Sequence, residues 1–343
     1  MSNSIYGIDL GFGRTKGLST TRQVELPSVI GDFRKIRYTS GMEGRDIINR
    51  LCVSYAGHDF FLGNIAFEQS KARVTMDSNR FMTIEGMSLL FGALTLLSDS
   101  ENGGTVRLAV GLPVNDFETR KGAYAEALKG AHYIKTLNLS GEPENFYCFA
   151  VQDVIVMPQP CGTIFDAVLD DNGDLVNREL AGKRVAVLDI GRRTVDLALM
   201  DALSFIDRQS TSFSDIGIAD AYSELTMLLR KKLDGVDIIA EEVESYIKAG
   251  TIDYRGKPVN ITSEVEQVFR QQATKILSRV KNVWPDLWKI HKIIITGGGG
   301  VLLGRYLADA IGSPEQVEVY QAGRATFSNC RGFLKYGIRK WAK

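Results

Sequence analysis

Residues 5–18 read IYGIDLGFGRTKGL, and residues 185–200 repeat the same pattern as VAVLDIGRRTVDLALM. In each stretch an apolar run ends in Asp, an apolar residue and Gly, and a second apolar run follows a short turn. This pattern predicts a strand, a tight glycine turn and a returning strand. Asp9 and Asp189 are 180 residues apart, a period far too long for a solenoid, so we interpret the chain as two related halves.

The rest of the chain alternates between strand and helix patterns. Short apolar runs that end at Pro or Gly predict strands, and apolar residues at a spacing of three and four predict helices. We expect strands at residues 106–112, 151–157 and 292–296, and helices at 83–98, 115–130, 217–233, 236–249, 263–283, 301–311 and 325–341. This alternation is typical of an α/β protein with partly parallel sheets. Two similar α/β lobes that face each other would leave a cleft between them.

Length and composition limit the class of protein. The chain has 343 residues, of which 44% are hydrophobic, and 41 Lys and Arg balance 41 Asp and Glu. The length indicates two domains or one large two-lobed unit, and the apolar content excludes disorder for most of the chain. The balanced charge argues against binding nucleic acid or an acidic membrane over a large surface.

The cysteines and the first residues bear on the cellular compartment. The four cysteines are scattered, at positions 52, 148, 161 and 330, without the spacing of a metal site, which is typical of buried reduced thiols. The N-terminus lacks the features of a signal peptide, and no apolar run approaches the ~20 residues of a membrane span. We therefore expect a cytoplasmic protein.

The first glycine turn is a candidate phosphate site. Gly11 and Gly13 allow backbone N–H groups to approach phosphate oxygens, because no Cβ obstructs them. Asp9 would repel phosphate directly but suits a Mg²⁺ ion held through water, and Lys16 on the returning strand can neutralise phosphate charge. The run matches neither G-x-G-x-x-G nor a Walker A loop. The alternative interpretation is a surface hairpin with an ordinary Asp and Lys.

The second hairpin repeats this logic. Asp189 would face Asp9 across the cleft, and two opposed carboxylates favour a Mg²⁺ ion between them. The Thr194 hydroxyl is a candidate donor to a terminal phosphate, whereas Asp196 either acts directly or only satisfies the turn.

A third candidate site is the stretch TGGGGV at residues 296–301. A strand that leads into glycines at a helix N-terminus lets the backbone approach a nucleotide, and the helix dipole favours anions. Alone, the same stretch is equally compatible with a flexible loop. Together with the two hairpins, in this order along the chain, it forms a specific constellation.

This constellation resembles the superfamily of actin, the heat-shock ATPases and the sugar kinases. The two hairpins are similar to its phosphate-1 and phosphate-2 motifs, and the glycine run to its adenosine motif; residues 154–160 and 325–332 fall near its two connecting segments. Within the superfamily the chain most resembles the ParM-type actin-like proteins of bacteria and archaea. The resemblance implies an actin-like fold of two ribonuclease H-like lobes that flank a nucleotide cleft. Domain I would comprise residues 1–160, with residues 325–343 packing on it, and domain II residues 161–324.

The resemblance also implies roles for individual residues. Gln159 would position the attacking water and Asp189 would act with it in catalysis, while Asp9 and Asp189 would hold Mg²⁺ through water. The nucleotide-binding residues that it implies are Asp9, Gly11, Gly13, Arg14, Lys16, Gly191, Arg192, Thr194, Gly297, Gly298, Gly299 and Gly300.

One departure concerns the phosphate-2 turn, where Arg192 and Arg193 replace two glycines of the usual pattern. Their side chains must either point away from the phosphates or supply a cationic clamp.

The function that the resemblance implies is an ATPase, with ATP or GTP and Mg²⁺ as ligands, whose copies join head to tail in dynamic filaments. Such filaments would move plasmid or chromosomal DNA through a DNA-binding adaptor protein, with no direct contact to nucleic acid or membrane. Two alternatives stay open: a sugar or acid kinase of the same superfamily, and a scaffold filament whose nucleotide is structural.

Overall fold

The computed structural model describes residues 4–37, 46–74, 79–238 and 242–342. The chain divides into two compact units. Unit 1 comprises Met1–Ala181 with Phe327–Lys343, and unit 2 comprises Gly182–Thr326. Residues 161–181 thus group with unit 1, whereas the sequence placed them in the second domain.

The described strands of unit 1 form one mixed sheet. They are β1 (Ser4–Leu10), β2 (Arg14–Leu18), β3 (Gln23–Pro27), β4 (Val29–Asp32), β5 (Cys52–Tyr55), β6 (His58–Leu62), β7 (Arg73–Val74), β8 (Gly103–Leu112), β9 (Gly130–Leu137) and β10 (Pro143–Pro158). Their order is β3-β2-β1-β8-β10-β9-β5-β6-β4-β7. β1, β8 and β10 run parallel, so their carboxyl ends meet at one edge of the sheet.

Helices cover this sheet and bury its apolar face. They are α1 (Asn64–Gln69), α2 (Ile84–Leu97), α3 (Val114–Leu128), α4 (Gln159–Val168) and α5 (Arg178–Ala181). α2 begins after Thr83, whose hydroxyl accepts a hydrogen bond from the Gly86 amide, and most of its residues are buried against the sheet. α4 follows β10 without a loop and packs on β8 and β10, which explains why residues 161–168 belong to unit 1.

Unit 2 contains a smaller mixed sheet and a separate hairpin. Its described strands are β11 (Arg184–Ile190), β12 (Val195–Asp201), β13 (Ser204–Phe205), β14 (Thr211–Phe213), β15 (Thr251–Tyr254), β16 (Lys257–Asn260), β17 (Lys292–Thr296) and β18 (Val317–Val319). The sheet order is β13-β12-β11-β17-β18, with β14 also paired to β12, while β15 and β16 pair only with each other.

The remaining helices are α6 (Ile218–Lys232), α7 (Val243–Ala249), α8 (Thr262–Val283), α9 (Gly297–Ile311) and α10 (Ala322–Trp341). α6, α8 and α9 bury their apolar faces against β11, β12 and β17 in one core. α10 begins in unit 2, and its residues from Phe327 onward group with unit 1. Among the residues described, no helix has the length and apolarity to cross a membrane.

The predicted α/β class is confirmed, and most predicted helices lie close to the observed ones. One prediction failed in part: only Val243–Ala249 is helical within the predicted helix 236–249, and residues 239–241 lie outside the described part of the chain. α9 begins at Gly297 rather than at 301, so the glycines form the first turn of the helix.

Candidate functional site

The first predicted hairpin forms as β1 and β2, with Asp9 directly opposite Lys16. Residues directly opposite in an antiparallel pair have side chains on the same face. Asp9 is only 7% exposed, while Lys16 is half-buried. The hairpin therefore brings a buried carboxylate and an ammonium group to one side of the glycine turn.

Gln159, which directly follows β10, contacts Asp9 of this pair. The parallel register places Ile8 beside Val110 and Pro158 beside Leu112, so the residue after β10 comes to the end of β1. Gln159 is buried, and its Nε2 donates a hydrogen bond to Asp9 Oδ1 at 2.9 Å. The predicted residues Asp9, Lys16 and Gln159 are thus brought together.

A further amide completes the surroundings of Asp9. Asn329 on α10 accepts from the Thr163 hydroxyl at 2.8 Å with its Oδ1 and forms a side-chain hydrogen bond with Asp9. Burial raises the pKa of the Asp9 carboxyl, while the charge of Lys16 and the hydrogen bonds from Asn329 and Gln159 act in the opposite direction. Sequence reasoning missed this role of Asn329, because Asn329 lies 320 positions from Asp9 in the chain.

The turn after β1 is supported by Arg80, which sequence reasoning missed. Its guanidinium donates to the carbonyl oxygens of Leu10 and Gly11 and lies 3.7 Å from the ring centroid of Phe12. The Ser28 hydroxyl also donates to Gly11 O, at 2.6 Å. Because these carbonyl oxygens accept hydrogen bonds from protein donors, their partial negative charge repels an incoming phosphate less.

Arg14 does not join the cluster. It is exposed, and its nearest acidic partner is Glu25 on β3, with Nε and Oε1 separated by 3.7 Å. An exposed pair at this distance contributes little to stability.

The second hairpin forms as β11 and β12 in unit 2. The Gly191 amide donates to Thr194 O at 2.8 Å and closes the turn. The first amides of α6 also attach to this turn: Ile218 N donates to Gly191 O at 3.2 Å and Ala219 N to Arg192 O at 2.9 Å. The backbone of the turn is therefore tied to the start of a helix.

The side chains of this turn differ in exposure. Arg192 and Arg193 are exposed, so neither guanidinium is buried against the turn, and Thr194 is half-buried. Asp196 is buried on β12 and accepts a hydrogen bond from the Ser212 hydroxyl. This hydrogen bond ties Asp196 to the neighbouring strand β14, and whether Asp196 also acts directly stays a prediction.

The glycine run lies beside Asp189. β11 and β17 are parallel with Asp189 opposite Thr296, so the next residue, Gly297, follows at the same sheet edge. Gly297 has φ +83°, and a Cβ at this position would lie 2.3 Å from Asp189 Oδ1. Gly298 is the exposed member of the run, and a Cβ there would meet nothing within 4 Å. The first backbone amides of a helix have no acceptor within the helix, so open space at such an N-terminus suits an anion.

The carboxylates near the glycine turns indicate how the implied Mg²⁺ could be held. Within the described residues no group of three or more His, Cys, Asp or Glu side chains could hold a metal ion. Mg²⁺ commonly takes one or two carboxylates and completes its shell with water and phosphate oxygens. Asp9 in unit 1 and Asp189 in unit 2 each offer a single carboxylate, the type of ligand that this mode uses.

Both halves of the chain are similar to known protein families. Residues 7–162 match the family described as actin like proteins, N terminal domain, and residues 187–309 match the archaeal actin homologue MreB-like C-terminal family. No curated protein sequence matches the chain significantly.

Solved structures give the same result for the fold. The archaeal actin homologue Ta0583 superimposes with a TM-score of 0.83 at 20% identity, over 98% of this chain and 99% of that one. Its complex with ADP gives a TM-score of 0.77 at 19% identity over the same shares. A 15-stranded ParM filament from Clostridium botulinum gives 0.78 at 22% identity, again over 98% and 99%. At these identities the likeness shows the fold, which is actin-like.

Proposed function

Since this chain belongs to the actin-like proteins, we propose that it binds and hydrolyses ATP with Mg²⁺ and assembles into filaments. In this proposal, units 1 and 2 correspond to actin-like domains I and II. The nucleotide-binding residues are those of the two Asp-Gly turns and of the glycine run at the start of α9.

The observation that carries the proposal is the hydrogen bond from Gln159 to the buried Asp9. It joins the two residue types that phosphate-bond hydrolysis needs at one place: a carboxylate for the cation and an amide for the water. Burying a carboxylate among amides, with its pKa raised, opposes stability, which is typical of a functional site. Two structural relatives support the ligand and the assembly, since one is a complex with ADP and the other a filament.

Each residue then has a defined task. Lys16 neutralises phosphate charge, and the backbone amides of the two turns donate to phosphate oxygens. The Gln159 amide is oriented by its bond to Asp9, so its carbonyl oxygen is directed to accept from the attacking water. Bound Mg²⁺ would neutralise charge that develops on the phosphates, with the Asp9 and Asp189 carboxylates holding its water ligands.

We further propose that the filaments act on DNA through an adaptor protein. Support comes from the similarity to a ParM filament and from the net charge of zero, which does not favour direct contact with nucleic acid over a large surface.

The test is high-speed sedimentation of the purified protein without nucleotide, with Mg-ATP and with Mg-ADP, with phosphate release measured in the same tubes. We expect pelleting that requires ATP and phosphate release that rises above a threshold protein concentration. If the protein forms no pellet in any condition and releases phosphate only after a small hydroxylated substrate is added, the proposal of a filament is wrong and that of a kinase takes its place.

Asp189→Ala is the matched variant for the hydrolysis step. We expect a folded protein without phosphate release. Asp201→Ala is the control, because Asp201 lies at the end of the β11–β12 hairpin far from the turn, is exposed, and within the described chain pairs only with Arg184, with Oδ2 and Nε 3.6 Å apart. Full activity of Asp189→Ala would contradict the role of the second turn.

A further inference from the structure

Trp288 is the most exposed large hydrophobic residue in the described part of the chain, at 77%. It lies in a short 3₁₀ helix, Leu287–Lys289, between α8 and β17 of unit 2. The neighbouring Trp284 is fully buried and donates its indole N–H to Gln209 O at 2.7 Å, so it serves the core. Trp288 instead lies largely in solvent, and among the residues described its side chain hydrogen-bonds only locally, to Asp286 two residues earlier.

The turn that carries Trp288 is held firmly. Gln316 Nε2 donates to the carbonyl oxygens of Leu287 and Ile290, one on each side of the tryptophan. Lys289 Nζ donates to Asp286 Oδ2 at 2.6 Å and lies 5.1 Å from the indole centroid. A large aromatic residue on a fixed turn loses little conformational entropy when it is buried by a partner, which is characteristic of interface anchors.

Unit 1 carries a groove of matching chemistry. Its volume is about 410 Å³, and Tyr55, His132, Tyr133, Lys135 and Phe146 are among the residues that line it. Tyr133 and Phe146 are 57% and 49% exposed, with ring centroids 6.1 Å apart.

The inner wall of this aromatic groove is fixed by hydrogen bonds. Tyr55 Oη lies 2.8 Å from His132 Nδ1, and His132 Nε2 lies 2.9 Å from Leu128 O. The groove is therefore preformed, and its volume accommodates an indole.

We propose that Trp288 of one copy of the chain inserts into the aromatic groove of a second copy. The charges agree with this contact: Lys289 would lie among aromatic rings, which attract cations, and Asp286 would approach Lys135. The contact joins two different surfaces, so it is heterologous and repeats from copy to copy without self-pairing. The inference rests on the proposed filament and names one of its contacts.

The first test compares critical concentrations for pelleting with Mg-ATP. We expect Trp288→Ala and Phe146→Ala each to raise the critical concentration about 30-fold, as loss of an interface anchor does. Met227→Ala is the control, because Met227 is also in unit 2 and 60% exposed. It should stay within about twofold of the unmodified protein, as a surface substitution does. ATP binding should be unchanged in all three variants.

The second test detects the contact directly. Trp288→Cys and Phe146→Cys proteins, each also carrying Cys148→Ser, are mixed above their critical concentration and oxidised. The other cysteines, Cys52, Cys161 and Cys330, are buried. We expect a disulfide-linked dimer only in the mixture, only with ATP, and not in either protein alone.

The outcomes separate this inference from the proposed function. Normal polymerisation of both alanine variants, or no dimer in the mixture, would overturn the contact while the filament stands. Absence of any pellet from the unmodified protein would overturn both.

Discussion

Gln159 and Asp9 are 150 positions apart in sequence, yet the amide of the first donates to the carboxylate of the second at 2.9 Å. The contact follows from the parallel register of β1, β8 and β10, which end at one sheet edge. It fixes which way the glutamine amide points, because only the NH₂ end can donate to a carboxylate. The carbonyl end is thereby assigned as an acceptor.

Gln159→Ala should slow phosphate release far more than it weakens nucleotide binding. Loss of the amide removes the group that orients water but leaves the glycine turns intact, and we expect a decrease of about 10²-fold, within the usual range for such groups. Single-turnover phosphate release and nucleotide titration measure the two effects separately. A variant with unchanged hydrolysis and lower affinity would show that Gln159 contacts the nucleotide instead.

Asp9→Asn should leave the ligand-free protein as stable as the unmodified one or more stable. Burial raises the pKa of the Asp9 carboxyl, so the ionised form is less favourable in the folded than in the unfolded protein at neutral pH. The same variant should lose the extra thermal stabilisation that Mg-ADP gives over ADP with a chelator. Thermal melts in these three conditions test both parts. A strong loss of stability without ligand would mean that Asp9 is structural.

Arg80→Ala should lower both the free energy of unfolding and the affinity for nucleotide. The Leu10 and Gly11 carbonyl oxygens would each lose a charged donor, and we expect a loss of about 2–4 kcal/mol. Arg73→Ala is the control, since Arg73 makes an exposed ion pair with Asp32 and should cost about 1 kcal/mol at most. Urea unfolding and nucleotide titration give the two quantities. If the free energy of unfolding falls equally in Arg80→Ala and Arg73→Ala, Arg80 does not support the turn.

Gly297→Ala and Gly298→Ala form a matched pair. The first places a side chain at φ +83° and against Asp189, so it should destabilise the fold by about 1–3 kcal/mol. The second replaces an exposed helical glycine with open space around it, so the ligand-free protein should gain up to about 1 kcal/mol.

Nucleotide binding distinguishes the two positions further. If ATP occupies the space beside Gly298, its alanine variant should bind nucleotide at least about tenfold more weakly, because the added methyl group obstructs close approach. Unfolding curves and fluorescent-nucleotide titration are the measurements. Unchanged affinity of Gly298→Ala would place the nucleotide away from the start of α9.

Local sequence was sufficient for the strands and turns of both hairpins. The pattern of residues 5–18 predicts Lys16 on the strand that returns from the glycine turn. The structure places it directly opposite Asp9, because the three residues between β1 and β2 leave few ways to close an antiparallel pair. The strand that leads into the glycines was equally predictable. The helix start was not: Gly297 has a positive φ and enters α9 directly, whereas helix propensity disfavours glycine.

The sequence by itself determined the α/β class, the two hairpins and the residue types that reach their turns, because strand alternation and glycine turns depend on neighbours a few positions away. Only the tertiary structure decided that Arg80 supports the first turn, that Asn329 joins Asp9 and that Gln316 fixes the turn of Trp288. These partners come from residues far apart in the chain, and no local pattern encodes a contact that arises from sheet register and helix packing. Burial acts in the same way: Trp284 and Trp288 are the same residue type four positions apart, and packing alone makes one a core residue and leaves the other exposed.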